Sequence, residues 1–183
     1  MFSVIENGIP DTEMPAHWFP PGEIRQVAAY VRTLGRVASE KIEGDPVRGA
    51  GLYAGKGACG RCHTVNGRGG ALGPDLTDVG ARRSVPYLKE SLLDPDAAAP
   101  EGFLLLQLLT PDGRRITGVR VGEDTFSIQI YDLSGNFRSF FRSELAKVVK
   151  QPGKSPMPSY KEAFTTTELN DLIAYLDSLR GTP

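Results

Sequence analysis

An excess of charge of either sign is the first thing this sequence lacks. Its 183 residues carry 21 basic and 22 acidic side chains, a net charge of −1. No basic field is present to hold nucleic acid, and no run of like charge marks a tail. Long hydrophobic runs are also missing: the most apolar stretch, Phe103 to Leu109, is too short to cross a bilayer. The first residues, Met1 to Pro15, have neither a basic start nor a long apolar stretch, so they do not read as a signal peptide; the expectation is a mature form or part of something longer. Cysteine and histidine are scarce, two of each. What is present in quantity is hydrophobic side chain, 40% of residues, enough for a real core.

Three of those four scarce residues stand together. The stretch GKGACGRCHTVNGRGG, Gly55 to Gly70, holds Cys59, Cys62 and His63. A C-x-x-C pair has three common uses. A dithiol redox couple needs a thiolate of lowered pKa at the start of a helix that follows a strand. Here the preceding residues read as a helix running into the motif, which is the wrong order. Structural zinc needs four ligands; Cys59, Cys62, His63 and His17 would use every cysteine and histidine, and adjacent Cys62 and His63 do not easily face one tetrahedral ion. Covalent haem attachment through C-x-x-C-H uses all three residues in order: two thioether bonds at the ring edge and the adjacent imidazole at the iron. Haem is the favoured reading, with the other two left open.

Around the motif the chain alternates between two periods. Asp45 and Pro46 are a helix cap and first helical residue, and a helix runs from there towards Gly57. Ser84 can cap a short helix carrying Tyr87, Leu88 and Leu92. From about Gly102 to Lys150 the pattern becomes β-rich. FLLLQLLT, RITGVRV, TFSIQIYD and NFRSFFRS are separated by the turn sequences PDGR, GED and LSG, and Phe126, Ile128 and Ile130 alternate with polar residues. These runs predict a small antiparallel meander. Thr165 with Glu168 then forms a capping box ahead of a helix with Leu169, Leu172, Ile173, Leu176 and Leu179 on one stripe. That helix has a relative near the start of the chain: EIRQVAAYVRTLG from Glu23 aligns with ELNDLIAYLDSLR from Glu168, and each follows a Met-Pro pair, Met14-Pro15 and Met157-Pro158.

C-x-x-C-H, then GPDL, then Met157-Pro158, then a helix containing AYL resembles, as a set, the class I c-type cytochromes over Gly44 to Leu179. A stretch reading DGRRITG, DLSGNFRSFFRSELAKV and SPMPS resembles a haem-binding module of large bacterial multidomain proteins. The resemblance implies a mainly α fold: a cytochrome c-like helical domain with the small antiparallel meander inserted at about residues 102–150. Removing Glu101 to Lys150 leaves a compact loop between His63 and Met157. The implied organisation is a remnant of the back half of an upstream module over residues 1–35, a linker over 36–44, and the cytochrome domain over 45–183.

One covalent haem c is implied, with His63 and Met157 on the iron and Met14 as the other sulfur to be tested. Pro74 would offer its carbonyl to the second ring nitrogen of His63. Arg83, with Arg82, would meet the haem propionates. Tyr53, Tyr87 and Tyr160 read as packing residues. With both axial positions filled there is no open iron, so the expected role is one-electron transfer and not enzyme catalysis. The partners would be transient redox proteins, with association to a membrane redox complex compatible, and the location periplasmic or extracytoplasmic. A haem enzyme or sensor with open iron, and a thiol oxidoreductase, are the alternatives.

Overall fold

The structure is a computed structural model and describes residues 1–34, 37–38, 40–99 and 103–181. The expected end of the first segment at Gly35, the start of the linker at Arg36 and the start of the β region at Gly102 lie outside the described residues. The chain divides into two compact units, Met1–Val37 and Ala38–Pro183.

In the first unit, helix α1 (Phe2–Asn7) precedes helix α2 (Pro21–Thr33), which has proline and Glu23 in its first turn. Ile5, Ile24 and Ala28 form its small core, and Phe2 and Met14 pack against them. Met14 is therefore part of this unit's own packing. Trp18 is 99% exposed, and His17 stacks on Phe19 with ring centroids 5.5 Å apart.

The second unit begins with helix α3 (Pro46–Ala54), which forms where the capping signs predicted: the Asp45 carboxylate accepts from the backbone N–H of Val47 and Arg48. The last helix, α6 (Thr166–Ser178), carries the full capping box between Thr165 and Glu168. Helices α3 and α6 cross in close contact because α3 presents glycine there. A Cβ placed on Gly49 would stand 2.0 Å from the Asp171 carbonyl oxygen and 2.7 Å from Cβ of Tyr175. The crossing is tied by buried Asp171, which accepts from the Arg48 guanidinium at 2.8 Å and from the Asp45 N–H at 2.7 Å. Short helices α4 (Val79–Arg82) and α5 (Val85–Leu93) complete the helical layer. Tyr53, Leu88, Leu92, Leu169, Leu172, Ile173 and Leu176 fill the core between them.

The mainly α expectation is overturned. The chain is 34% helical and 20% strand, with a five-stranded antiparallel sheet between α5 and α6. Besides a two-residue ladder of β1 (Thr64–Val65) with β2 (Arg68–Gly69), the strands are β3 (Leu105–Leu109), β4 (Arg115–Glu123), β5 (Ser127–Asp132), β6 (Phe137–Phe141) and β7 (Lys147–Gln151). Nor is the sheet a simple meander. Its order is β6-β5-β4-β3-β7, so the last strand returns to pair with the first, Leu105 opposite Gln151 and Leu109 opposite Lys147. The stretch KVVKQ has two valines as its only apolar residues and carries a weak strand signal of its own; β7 forms by completing the free edge of β3, a pairing that no local pattern announces. The sheet also builds a core of its own. Leu106, Leu108, Ile128 and Ile130 are fully buried, with Ile116, Phe140, Leu145 and Val148 around them. Alternation puts these residues on one face, which gives the β region a hydrophobic centre separate from that of the helices.

The β5–β6 turn rests on one carboxylate. Asp132 accepts from the N–H of Ser134 and Asn136 and from Arg138 Nε at 2.6 Å. The Arg138 pairing, followed by the backbone donors, holds its pKa down at about 2, against an ordinary 3.8. A depressed carboxylate contributes stability above its unfolded value, and that stability is lost as pH falls through the folded one. Acid titration of the wild-type chain is therefore expected to show stability falling between about pH 4 and pH 2, and Asp132→Asn should flatten that part of the profile in circular-dichroism melts. Among the described residues, no helix is long and apolar enough to cross a membrane.

Candidate functional site

The segment that follows α3 is shaped by its backbone. Ala58 adopts a left-handed conformation, φ 47°, which turns the chain out of the helix and into a short 3-10 turn, Cys59–Arg61. The Cys59 carbonyl accepts from the N–H of both Cys62 and His63, at 3.1 and 2.9 Å. This tight turn sets the two cysteines and the histidine around one small loop. Cys59 and Cys62 are not joined in a disulfide; Cys59 is buried and Cys62 partly so.

His63 is held on two sides. Its Nδ1 lies 2.9 Å from the carbonyl oxygen of Pro74. A carbonyl can only accept, so Nδ1 carries the proton and Nε2 keeps its lone pair. Burial lowers the His63 pKa, the Pro74 contact opposing it, so the ring is neutral near pH 7, the form in which imidazole ligates a metal. Beneath the ring lies Gly73. A Cβ there would come within 2.6 Å of His63 Cε1 and 2.7 Å of Nδ1; the glycine is what allows the imidazole to lie flat against the loop. The main chain of His63 is anchored as well, its carbonyl accepting from the Tyr53 hydroxyl at 3.2 Å.

These groups open onto a single cavity of about 270 Å³. Cys59, Cys62 and His63 line it, as do Pro74, Arg82, Arg83 and Met157. The rest of its wall is chiefly apolar, including Leu72, Leu76, Val79, Leu88, Leu92 and Leu176. Met157 reaches it from a loop that β7 delivers and that is stapled to the end of α5. Ser155 N–H and Lys154 Nζ both donate to Asp96, at 2.9 and 2.6 Å, while Ser159 Oγ donates to the Leu93 carbonyl and Tyr160 N–H to that of Leu92. Asp96 and Ser155 carried no sign of this role in the sequence, because the loop they close joins segments that lie on either side of the sheet.

The two arginines differ. Arg82 is engaged, donating to the Asp78 carboxylate at 2.7 Å and to the Asp75 carbonyl at 2.9 Å. Arg83 lies over the Tyr87 ring, 4.7 Å from its centroid, and pairs with no carboxylate among the described residues. The three tyrosines expected to serve as packing alone are corrected: all donate to main-chain carbonyls, Tyr53 to His63, Tyr87 to Ala98 at 3.0 Å, and Tyr160 to Gly57 at 2.7 Å. A buried phenol needs such a partner, and burial raises the pKa of Tyr53 and Tyr160 to about 12, so both stay protonated.

Two of the alternative uses of the motif fit poorly. A reactive dithiol needs a thiol of lowered pKa, whereas burial pushes the Cys59 thiol up. A zinc site needs four ligands, and no group of three or more His, Cys, Asp or Glu among the described residues could hold a metal ion. A haem fits what is here: paired thiols at one edge of an apolar cavity, a neutral imidazole with its outer nitrogen already bonded, and a thioether on the same cavity. Comparison with curated proteins gave no match. Residues 46–103, from the start of α3 through the motif and α5, match the family model for cytochrome c; this part of the chain is similar to a cytochrome c module, a likeness that supports haem-based electron transfer in general.

Proposed function

We propose that the chain is a one-electron carrier holding one haem c through Cys59 and Cys62, with His63 Nε2 and Met157 Sδ as axial ligands. The observation that carries this reading is the shared cavity, onto which both thiols, the fixed neutral imidazole and one methionine converge. Bound haem supplies a one-electron Fe(III)/Fe(II) couple. Cys59 and Cys62 would hold the group through thioether bonds. Pro74 fixes the tautomer and orientation of His63. Met157 brings a soft thioether, which favours the ferrous state. Arg83, which pairs with no carboxylate among the described residues, would offer its guanidinium to a propionate. The apolar wall keeps water away, and the Asp96 staple keeps Met157 in place, so little need move when the charge changes. With His63 and Met157 both given to the iron, the protein would pass electrons and do no bond chemistry. Its partners on this reading are redox proteins that dock transiently, a membrane complex among the candidates, in an extracytoplasmic compartment where haem is attached to such motifs.

The first unit fits the same reading. In the alignment of α2 with α6, Val27 and Val31 take the places of Leu172 and Leu176. The α6 pair are 0% and 6% exposed; the α2 pair are 39% and 37% exposed. Helix α2 thus keeps the apolar stripe of a closing helix, which supports residues 1–35 as the back half of a second module joined by a linker over 36–44.

Intact mass of the chain purified from a haem-maturing host tests the proposal: one added haem mass is expected, and an unmodified chain would refute it. The ligand assignment has its own test. Met157→Ala should abolish the weak red-end ferric absorbance of sulfur ligation and lower the reduction potential by on the order of 0.1 V, within the ~0.8 V that axial ligands span. Loss of that band in Met14→Ala instead would show the assignment to be wrong.

A further inference from the structure

The sheet has two faces, and only one is used by its own core. On the other, Leu105 of β3 and Val119 of β4 are paired across the ladder and are 8% and 3% exposed. They form a buried cluster with Leu72, and Cys62, Phe103 and Tyr131 pack against it. Leu72, Cys62 and Phe103 also line the cavity, whereas Leu105, Val119 and Tyr131 do not. The sheet therefore stands as an outer apolar layer directly behind the Cys62 edge of the cavity. A short sheet packs its second face on whatever apolar surface it can reach, but here that surface belongs to the attachment loop itself.

We propose that this face of the sheet sets the reduction potential of the haem, by sealing the Cys62 edge against water. The inference rests on the haem reading above and adds a role for residues that touch neither iron nor ring. The physical basis is that ferric haem carries one more positive charge than ferrous. Water near the ring edge solvates that charge and favours the oxidised state; an apolar layer removes the solvation and favours the reduced one. Two layers lie at the Cys62 edge, Leu72 first and the Leu105–Val119 pair behind it. A polar atom or a water admitted at the second layer acts on the iron through the intervening low-dielectric side chains, where charge interactions are poorly screened. Leu105 and Val119 are thus positioning residues for the electrostatics of the site.

The test is equilibrium redox titration of the haem-loaded chain carrying Val119→Thr, which keeps the branched shape and adds a hydroxyl. Leu105→Thr, made separately, probes the same layer from the neighbouring strand. Ile130→Thr is the control: it places the same hydroxyl in the sheet's own core, where Ile130 is 0% exposed. Each of the first two variants is expected to shift the ferrous/ferric equilibrium about threefold towards ferric, a fall of about 30 mV at 59 mV per tenfold. The sulfur-ligation band should persist, and the control should titrate as the wild type does. Wild-type potentials in Val119→Thr and Leu105→Thr, with haem and sulfur band intact, would overturn this inference and leave the electron-carrier reading standing. An equal fall in Ile130→Thr would also overturn it, since general loosening would then be the cause. A chain without haem would instead overturn the reading beneath it.

Discussion

Cys59→Ala with Cys62→Ala should yield a colourless chain that is barely folded in its helical part. The first half of that result follows from chemistry: the chain has no other cysteine, so no thiol remains to add to a vinyl group. The second half follows from packing. Without its proposed occupant, the wall formed by Leu72, Leu76, Val79, Leu88, Leu92 and Leu176 surrounds about 270 Å³ of apolar space. At ~24 cal/mol per Å³ an enclosed void of that size would cost about 6 kcal/mol, and this cavity, being partly open, costs less. A domain stable by only ~5–15 kcal/mol loses much of its margin. Collapse of the wall would recover some of this, but α3, α5 and α6 could then no longer hold their present spacing. The sheet has a separate core in Leu106, Leu108, Ile128 and Ile130, so a strand signal in the far-ultraviolet spectrum should survive when the helical signal weakens. Absorbance, intact mass and thermal melting of the double variant check all three statements. A coloured chain, or an unchanged melting temperature, would contradict the assignment of these thiols and of the cavity.

Gly49→Leu should destabilise the second unit severely. The α3–α6 crossing depends on the absence of a side chain there: even a Cβ would stand 2.0 Å from a backbone oxygen, which cannot rotate away. The helices must separate, and Asp171 then loses its place beneath the N-terminus of α3, where it accepts from Asp45 N–H and from Arg48. Overpacking of this kind costs about 3 kcal/mol or more, equivalent to a fall of on the order of 10 °C in Tm for a chain of this size. The contrast is Gly51, two positions along the same helix, with nothing within 4 Å of its would-be Cβ. Gly51→Ala should be stabilising by up to about 1 kcal/mol, because alanine has the higher helix propensity. If both variants melt alike, close approach at Gly49 is not what sets the crossing.

The extent to which sequence foretold structure depended on the range of the interaction. Local signs held at two helix starts, whereas Ser84 stands at the start of α5 without a side-chain capping bond. Asp45 and Thr165 cap the helices they were expected to cap, because a side-chain oxygen three residues from an unpaired N–H acts within one turn. The β-rich runs became strands for the same reason, since alternation is visible residue by residue. The placement of His63 against the Pro74 carbonyl was anticipated only through the family resemblance; nothing in the spacing of those two residues required it.

What failed was whatever depended on distant pairing. The motif's resemblance to a helical family implies a mainly α chain with a small inserted meander; the β region forms where its runs lie, but as a five-stranded sheet with its own core and a returning strand, so that strand makes up 20% of the chain against 34% helix. The pairing of strand β7 has no local sign, because its partner β3 is separated from it along the chain by the other three strands of the sheet. The three tyrosines were read as packing, since a hydroxyl's acceptor is invisible when it is a carbonyl supplied by a loop.

By itself, then, the order of residues determined the chemistry on offer: two thiols and an imidazole in one tight turn, a methionine further on, and helices with defined ends. Only the tertiary structure decided that Met157 shares a cavity with that turn, that Gly73 leaves room for the imidazole, and that one face of the sheet lies behind Cys62. The reason is that bonding groups near one another along the chain are placed by local torsions, whereas a shared cavity exists only after remote segments have buried their apolar surfaces together.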